Sequence, residues 1–221
     1  MDAVIAFVVA AIISFWGSLQ LGLVNVLVIE TALRKGKNTA NWIAVGGVIP
    51  EIPYTLLAIF GTSYLDILQN YKQTTGIIIG LILLAMGVYY ILKKASVEEY
   101  DDDNQPTSKL KPLLKGMALA FANPQLILFW SGILILIQTG SLNVFGNRKV
   151  LIDFNAPGIF SPKIMFALGA AFGALAILLI YIKLSDIYRD KLLTLLGNKL
   201  GKIVGYFFIL LGLFVIFKNV V

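Results

Sequence analysis

The chain alternates long apolar runs with short polar stretches. Six runs stand out, at residues 4–29, 42–64, 74–92, 117–138, 164–182 and 203–217. The hydrocarbon core of a bilayer is about 30 Å thick and takes about 20 helical residues to cross. The pattern therefore predicts an all-α membrane protein with six transmembrane helices. The first run has length to spare and is expected to be tilted, bent or partly interfacial.

The polar stretches carry the orientation signal. Arg34, Lys35 and Lys37 follow the first run, Lys93, Lys94, Lys109, Lys111 and Lys115 the third, and Lys183, Arg189, Lys191, Lys199 and Lys202 the fifth. The opposite side holds only Lys72, Arg148, Lys149, Lys163 and Lys218. Basic residues concentrate on the cytoplasmic side, so both termini are expected outside the cytoplasm. Two connections are longer than needed. Residues 95–115 contain the acidic run from Glu98 to Asp103 and then Pro106, and read as a solvated linker. Residues 139–163 mix Gly, Asn and Pro with Val150, Leu151, Ile152, Phe154 and Phe160, which fits a lid, an interfacial segment or a docking surface.

The runs also repeat. Run three has Gly76, Gly80, Gly87 and Lys93, and run six has Gly201, Gly205, Gly212 and Lys218 at the same spacings. Ala44-Val45-Gly46 aligns with Ala167-Leu168-Gly169, and Pro50 with Gly173; Asn25 in run one answers Asn123 in run four. Each half has three spans, so the second must enter the membrane the other way up. That is an inverted-topology repeat, a plan common in secondary transporters. The expected organisation is a first three-helix repeat at 1–94, a cytoplasmic linker at 95–115, and a second repeat at 116–221 carrying the outside loop 139–163. The repeated glycines themselves read first as close-packing positions.

Composition narrows the chemistry. The chain is 58% hydrophobic and 14% charged, with no cysteine and no histidine. Disulfides, thiol redox chemistry, zinc sites and imidazole relays are excluded together. The net charge of +6 sits in the connections and does not point to nucleic acid. The start, Met1-Asp2-Ala3, lacks the basic region of a cleaved signal, so the first run is read as a retained helix. No nucleophile–base pair or metal-ligand cluster is evident, so no enzyme activity, cofactor or metal is expected.

Glu51 is the strongest candidate for function. It lies near the middle of run two, where an ionised carboxylate is costly unless paired or wet. Pro50 and Pro53 flank it and cannot donate to residues 46 and 49, which predicts a kink or break with free carbonyls at Gly46 and Ile49. Backbone broken at membrane depth is tolerated where it lines a cavity or meets buried partners. The acid could bind a proton or a cationic group, or stay neutral and bond to the freed carbonyls. Asn25 and Asn123 supply donors and acceptors without charge, either toward a solute or as interhelical bonds. Pro124 predicts a second break. Ser18, Gly22 and Asn25 share one helical face that could line a path, with Gln20 beside them. Gln125 and Gln138 are weaker candidates. Glu30 reads as the surface partner of the Arg34 cluster, and Trp130 as packing.

Ser18-Leu19-Gln20-Leu21-Gly22-Leu23-Val24-Asn25, followed by Leu33-Arg34-Lys35-Gly36-Lys37, resembles the first motif of the LysE/RhtB amino-acid exporter family (LysE-type translocators), S-x-x-P-G-P-x-N with a basic loop after it. Ala44-Val45-Gly46-Gly47 through Pro50-Glu51 and Tyr54 resembles its second-helix motif, G-x-x-x-G-D-x-x-Y, and Lys115-Gly116 through Asn123-Pro124-Gln125 and Phe129 its fourth-helix N-P-K element. The resemblance covers nearly the whole chain outside the two long loops. It implies a LysE-like fold in a bacterial inner membrane, with proton-driven export of amino acids or related small metabolites. It also implies that Gly22, Asn25, Glu51, Asn123 and Pro124 line the transport site; with Ser18, Gln20, Gly46 and Gln125 they make up the expected substrate and proton pathway. Partners are then membrane lipid, a small-molecule substrate, and either further copies of the chain or other membrane proteins. The departures are Leu21 and Leu23 for the two prolines, Glu51 for Asp, Pro50 for Gly and Gln125 for Lys. The missing prolines predict a first helix less broken than in typical exporters. They also motivate the alternative of a transport-inactive subunit acting as a scaffold in a larger membrane complex.

Overall fold

The computed structural model describes residues 2–19, 22–61, 72–92, 108–123, 125–138, 152–196 and 199–220, and every regular element among them is an α-helix. In chain order these are α1 (Asp2–Gly17), α2 (Leu23–Lys35), α3 (Lys37–Val48), α4 (Glu51–Gly61), α5 (Lys72–Leu92), α6 (Leu110–Phe121), α7 (Gln125–Gln138), α8 (Pro162–Ile187), α9 (Arg189–Leu196) and α10 (Leu200–Val220). Among the described residues, two stretches are long and apolar enough to cross a membrane as single runs, Lys37–Gly61 and Pro162–Ile187. The helices gather into two compact units. One holds α1–α4 and α6–α8, the other α5, α9 and α10. Each unit draws helices from both sequence halves, 1–94 and 116–221. The acidic part of the 95–115 linker lies outside the described residues, and its last six residues already belong to α6.

The most instructive difference from expectation is in the first run. Without prolines at 21 and 23 it is expected to be less broken than in typical exporters, yet α1 stops at Gly17 and α2 starts at Leu23. A helix can end only where its last carbonyls find other donors. Here the Asn25 side chain donates to the Ser18 carbonyl at 2.7 Å, and the Tyr181 hydroxyl donates to the Leu19 carbonyl at 2.7 Å. These donors, one seven residues on and one 162 residues on, meet carbonyls at a break that forms without proline. The fourth run breaks as expected, with α6 ending at Phe121 and α7 starting at Gln125.

Run two bends more gently. Ile49 keeps helical angles (φ −57°, ψ −44°). The carbonyls expected to be free are not: Gly46 accepts from the Ile49 N–H at 3.3 Å and Ile49 from the Ile52 N–H at 3.2 Å. A tightened turn with i to i+3 bonds has absorbed both prolines, and Pro53 falls in the first turn of α4, where its missing donor costs little.

Glycines set the packing. In the first unit, a Cβ on Gly46 would run into the Leu113 carbonyl oxygen, and one on Gly116 into that of Ile43, so α3 and α6 meet backbone to backbone. Gly169 and Gly173 bring α8 equally close to the carbonyls of Phe7 and Ala11 on α1. In the second unit α5 and α10 do the same reciprocally, with a Cβ on Gly80 falling 2.9 Å from the Gly212 oxygen and one on Gly87 2.7 Å from that of Gly205. Such small-residue contacts let helices associate in lipid, where no hydrophobic force drives them together. Gly36, at φ 85°, makes the turn between α2 and α3, a conformation that favours glycine. Beside it, Arg34 pairs with Glu30 and Lys37 with Asp186, each at 3.8 Å.

Candidate functional site

The site begins with the acid. Glu51 opens α4, so the positive dipole end of that helix lies at its own backbone. Its side chain is buried, and its Oε2 accepts a hydrogen bond of 2.7 Å from the Trp130 Nε1–H. That indole is fully buried, 79 residues away on α7. Trp130 was expected to be packing alone; it is also the acid's partner. One turn along α4, the Thr55 hydroxyl is buried with no hydrogen-bond partner among the described residues.

Glu51 faces a cavity of about 660 Å³, its open mouth included, within the first unit. Gly17 and Ser18 at the end of α1, Gly47 and Val48 at the end of α3, and Ala120 and Asn123 at the end of α6 form one set of walls. Gly22, Leu23, Val24 and Asn25 at the start of α2, Glu51 at the start of α4, and Leu126 and Phe129 near the start of α7 form another, while Ser14 of α1 and Ala174 and Leu178 of α8 complete the lining. Three helix C-termini and three N-termini thus converge on one space. The former carry partial negative charge and the latter partial positive charge. Glu51 is the one ionisable side chain among the lining residues, and the remainder are small, apolar or amide groups.

The expected site residues divide clearly. Ser18, Gly22, Asn25, Glu51 and Asn123 all reach this cavity. Ser18 and Asn25 do so across the break, joined through the Ser18 carbonyl, and not as neighbours on one continuous helical face. Gly46 does not line it; its open side is filled by α6, and Gly47 one position on borders the cavity instead. Gln20 and Pro124 lie outside the described residues, as do the side chains of Gln125 and Gln138.

The family model for LysE type translocators matches residues 15–151, more than half of the chain. The chain belongs to the LysE type translocator family. No curated protein and no solved structure gives a significant match. The matched stretch includes both breaks, Glu51 and Trp130, and the chain is accordingly a membrane protein of a transport family.

Behind Glu51, this translocator is sealed by aromatic rings. Trp130 packs edge-on against Phe166 at 5.5 Å between centroids, and Phe166 against Phe154 at 5.4 Å. None of the three rings lines the cavity. Phe154 comes from the loop 139–163, of which residues 152–163 are described; its ring packs into the core, while Ile159 and Phe160 stay exposed. Trp130→Phe keeps an aromatic side chain, smaller than the indole, and removes the N–H. Leaving a buried carboxyl short of a donor costs about 1–3 kcal/mol. The variant is expected to unfold at a lower temperature in detergent than the parent, and an unchanged midpoint would contradict the bond's role.

Proposed function

We propose that the chain is a secondary exporter of amino acids or similarly small zwitterionic metabolites, coupled to protons through Glu51. The carrying observation is the cavity where Glu51 sits among the ends of broken helices. An ammonium group suits Glu51 and the helix C-termini, and a carboxylate suits the N-terminal N–H groups of α2 and α7. Coupling follows from competition. The ionised acid holds an ammonium group, and a proton taken up by that acid displaces it.

The same reading arranges the six spans as two inverted three-helix repeats. The paired glycines support this arrangement, since α3 meets the first leg of broken run four much as α8 meets the first leg of broken run one. The basic loops favour a bacterial inner membrane with both termini outside. The alternative, a transport-inactive scaffold subunit, rests on the missing proline pair, the long loop 139–163 and the acidic linker.

The test is uptake of a panel of labelled amino acids into liposomes holding the purified protein, with a pH gradient imposed. Saturable uptake above that of protein-free liposomes, abolished by collapsing the gradient, is the expected result. Uptake no different from empty liposomes across neutral, acidic and basic amino acids would overturn the proposal.

A further inference from the structure

Two tyrosines outside the cavity lining hold the ends of its two broken helices. The Tyr181 hydroxyl on α8 donates to the Leu19 carbonyl, in the break between α1 and α2, at 2.7 Å. The Tyr54 hydroxyl on α4 donates to the Phe121 carbonyl, the last residue of α6, at 2.6 Å. The chemistry at the two places is the same. A helix that stops inside apolar surroundings leaves carbonyls without N–H partners, and each costs free energy until a donor arrives. A phenol is a suitable donor, being apolar along its ring and polar at its tip. The Tyr54 ring also packs on the Phe121 ring at 6.0 Å, so the hydroxyl is delivered by a side chain already seated there.

The placement is crossed. A tyrosine from run two holds the break of run four, and one from run five holds the break of run one. In the repeat, runs two and five are counterparts, as are one and four. The alignment that pairs Gly46 with Gly169 sets Tyr54 against Ile177, one helical turn before Tyr181. The two bonds therefore correspond in role and differ in column by a turn.

We propose that Tyr54 and Tyr181 are a matched pair of positioning residues, each latching one of the two helix breaks that wall the cavity. This rests on the exporter reading of that cavity and takes it further, by naming what governs the opening of each wall separately. Each latch consists of one hydroxyl, so it can release without unpacking its ring. Releasing Tyr181 loosens the α1 end, and releasing Tyr54 loosens the α6 end.

The chain has no cysteine, so a single introduced thiol reports its own site alone. Ser14→Cys and Ala120→Cys place thiols on the buried cavity-facing last turns of α1 and α6, respectively. Each is combined with Tyr181→Phe and with Tyr54→Phe, and the rate of modification by a water-soluble maleimide is measured in liposomes. Y181F is expected to speed labelling at position 14 about fivefold and to leave position 120 unchanged; Y54F is expected to do the reverse. That factor is what one net hydrogen bond contributes to an opening equilibrium. Amide hydrogen exchange on the same Phe variants, without thiols, is expected to localise the change to residues 15–23 in one and 117–126 in the other. Equal acceleration at both thiols, or none at either, would overturn the proposal, as would exchange changes spread across the protein. No solute is needed for these readouts. Absence of transport by the parent protein would remove the exporter reading and leave the latches in place, whereas uncrossed labelling would remove the latches and leave transport untouched.

Discussion

Glu51→Gln is expected to lower gradient-driven amino-acid uptake about ten- to hundredfold while the protein stays folded. The amide has nearly the shape of the acid, and its carbonyl still accepts from the Trp130 indole, which donates to the carboxylate at 2.7 Å. A neutral amide is also cheaper to bury than an ion. The fold therefore has little reason to change. Function has two. The amide offers no charge to an ammonium group, and it neither takes up nor releases a proton. A hydrogen bond to a charged group contributes about 1.5–3 kcal/mol, and each 1.4 kcal/mol is about tenfold in an equilibrium constant. Uptake by the variant at the parental rate, with the same dependence on the pH gradient, would remove Glu51 from the mechanism.

Gly169→Ala is expected to destabilise the protein by at least about 1–3 kcal/mol, the usual cost of overpacking a filled core. The added methyl would meet the Phe7 carbonyl oxygen, with the Phe7 carbonyl carbon and Cα at 2.9 Å behind it. These are backbone atoms, which cannot swing aside as a side chain would. α1 must then move off α8, and the core that joins Ala6 and Ala10 to Phe166, Ala170 and Trp130 moves with it. Gly132→Ala is the matched control. Nothing lies within 4 Å of its added methyl, and alanine in place of glycine inside a helix gains about 1 kcal/mol. Thermal unfolding in detergent, followed by tryptophan fluorescence, should show a lower midpoint for Gly169→Ala and an unchanged or higher one for Gly132→Ala. Equal midpoints would mean that the α1–α8 contact is looser than described.

What could be read from the chain was whatever depends on local composition. A carboxylate in an apolar run identifies itself, as Glu51 did, and so do amides at helix depth such as Asn25 and Asn123. Spacing made the glycine series visible, and Gly80, Gly87, Gly205 and Gly212 do bring α5 and α10 into contact. What could not be read depends on residues far apart in sequence. At the break after Gly17 the Leu19 carbonyl accepts from Tyr181, 162 positions on, which proline logic applied to Leu21 and Leu23 does not reveal. Trp130 looked like filler because nothing near it in the chain reveals an acid opposite. Gly46 and Gly47 differ by one step of a helix, about 100° of rotation, and the sequence offers no reason to prefer either for the cavity. The same limit hid Tyr54 and Tyr181, whose value lies in which carbonyl they reach.

The most direct measurement is chemical modification of Glu51 itself. A hydrophobic carbodiimide reacts with protonated carboxyl groups in apolar surroundings, and peptide mapping by mass spectrometry distinguishes Glu51 from the other acids of the chain. The account predicts that Glu51 is modified in the membrane-embedded protein and that a transported amino acid slows the reaction in a saturable way. Modification of Glu51 at a rate indifferent to every amino acid that the same preparation transports would contradict it.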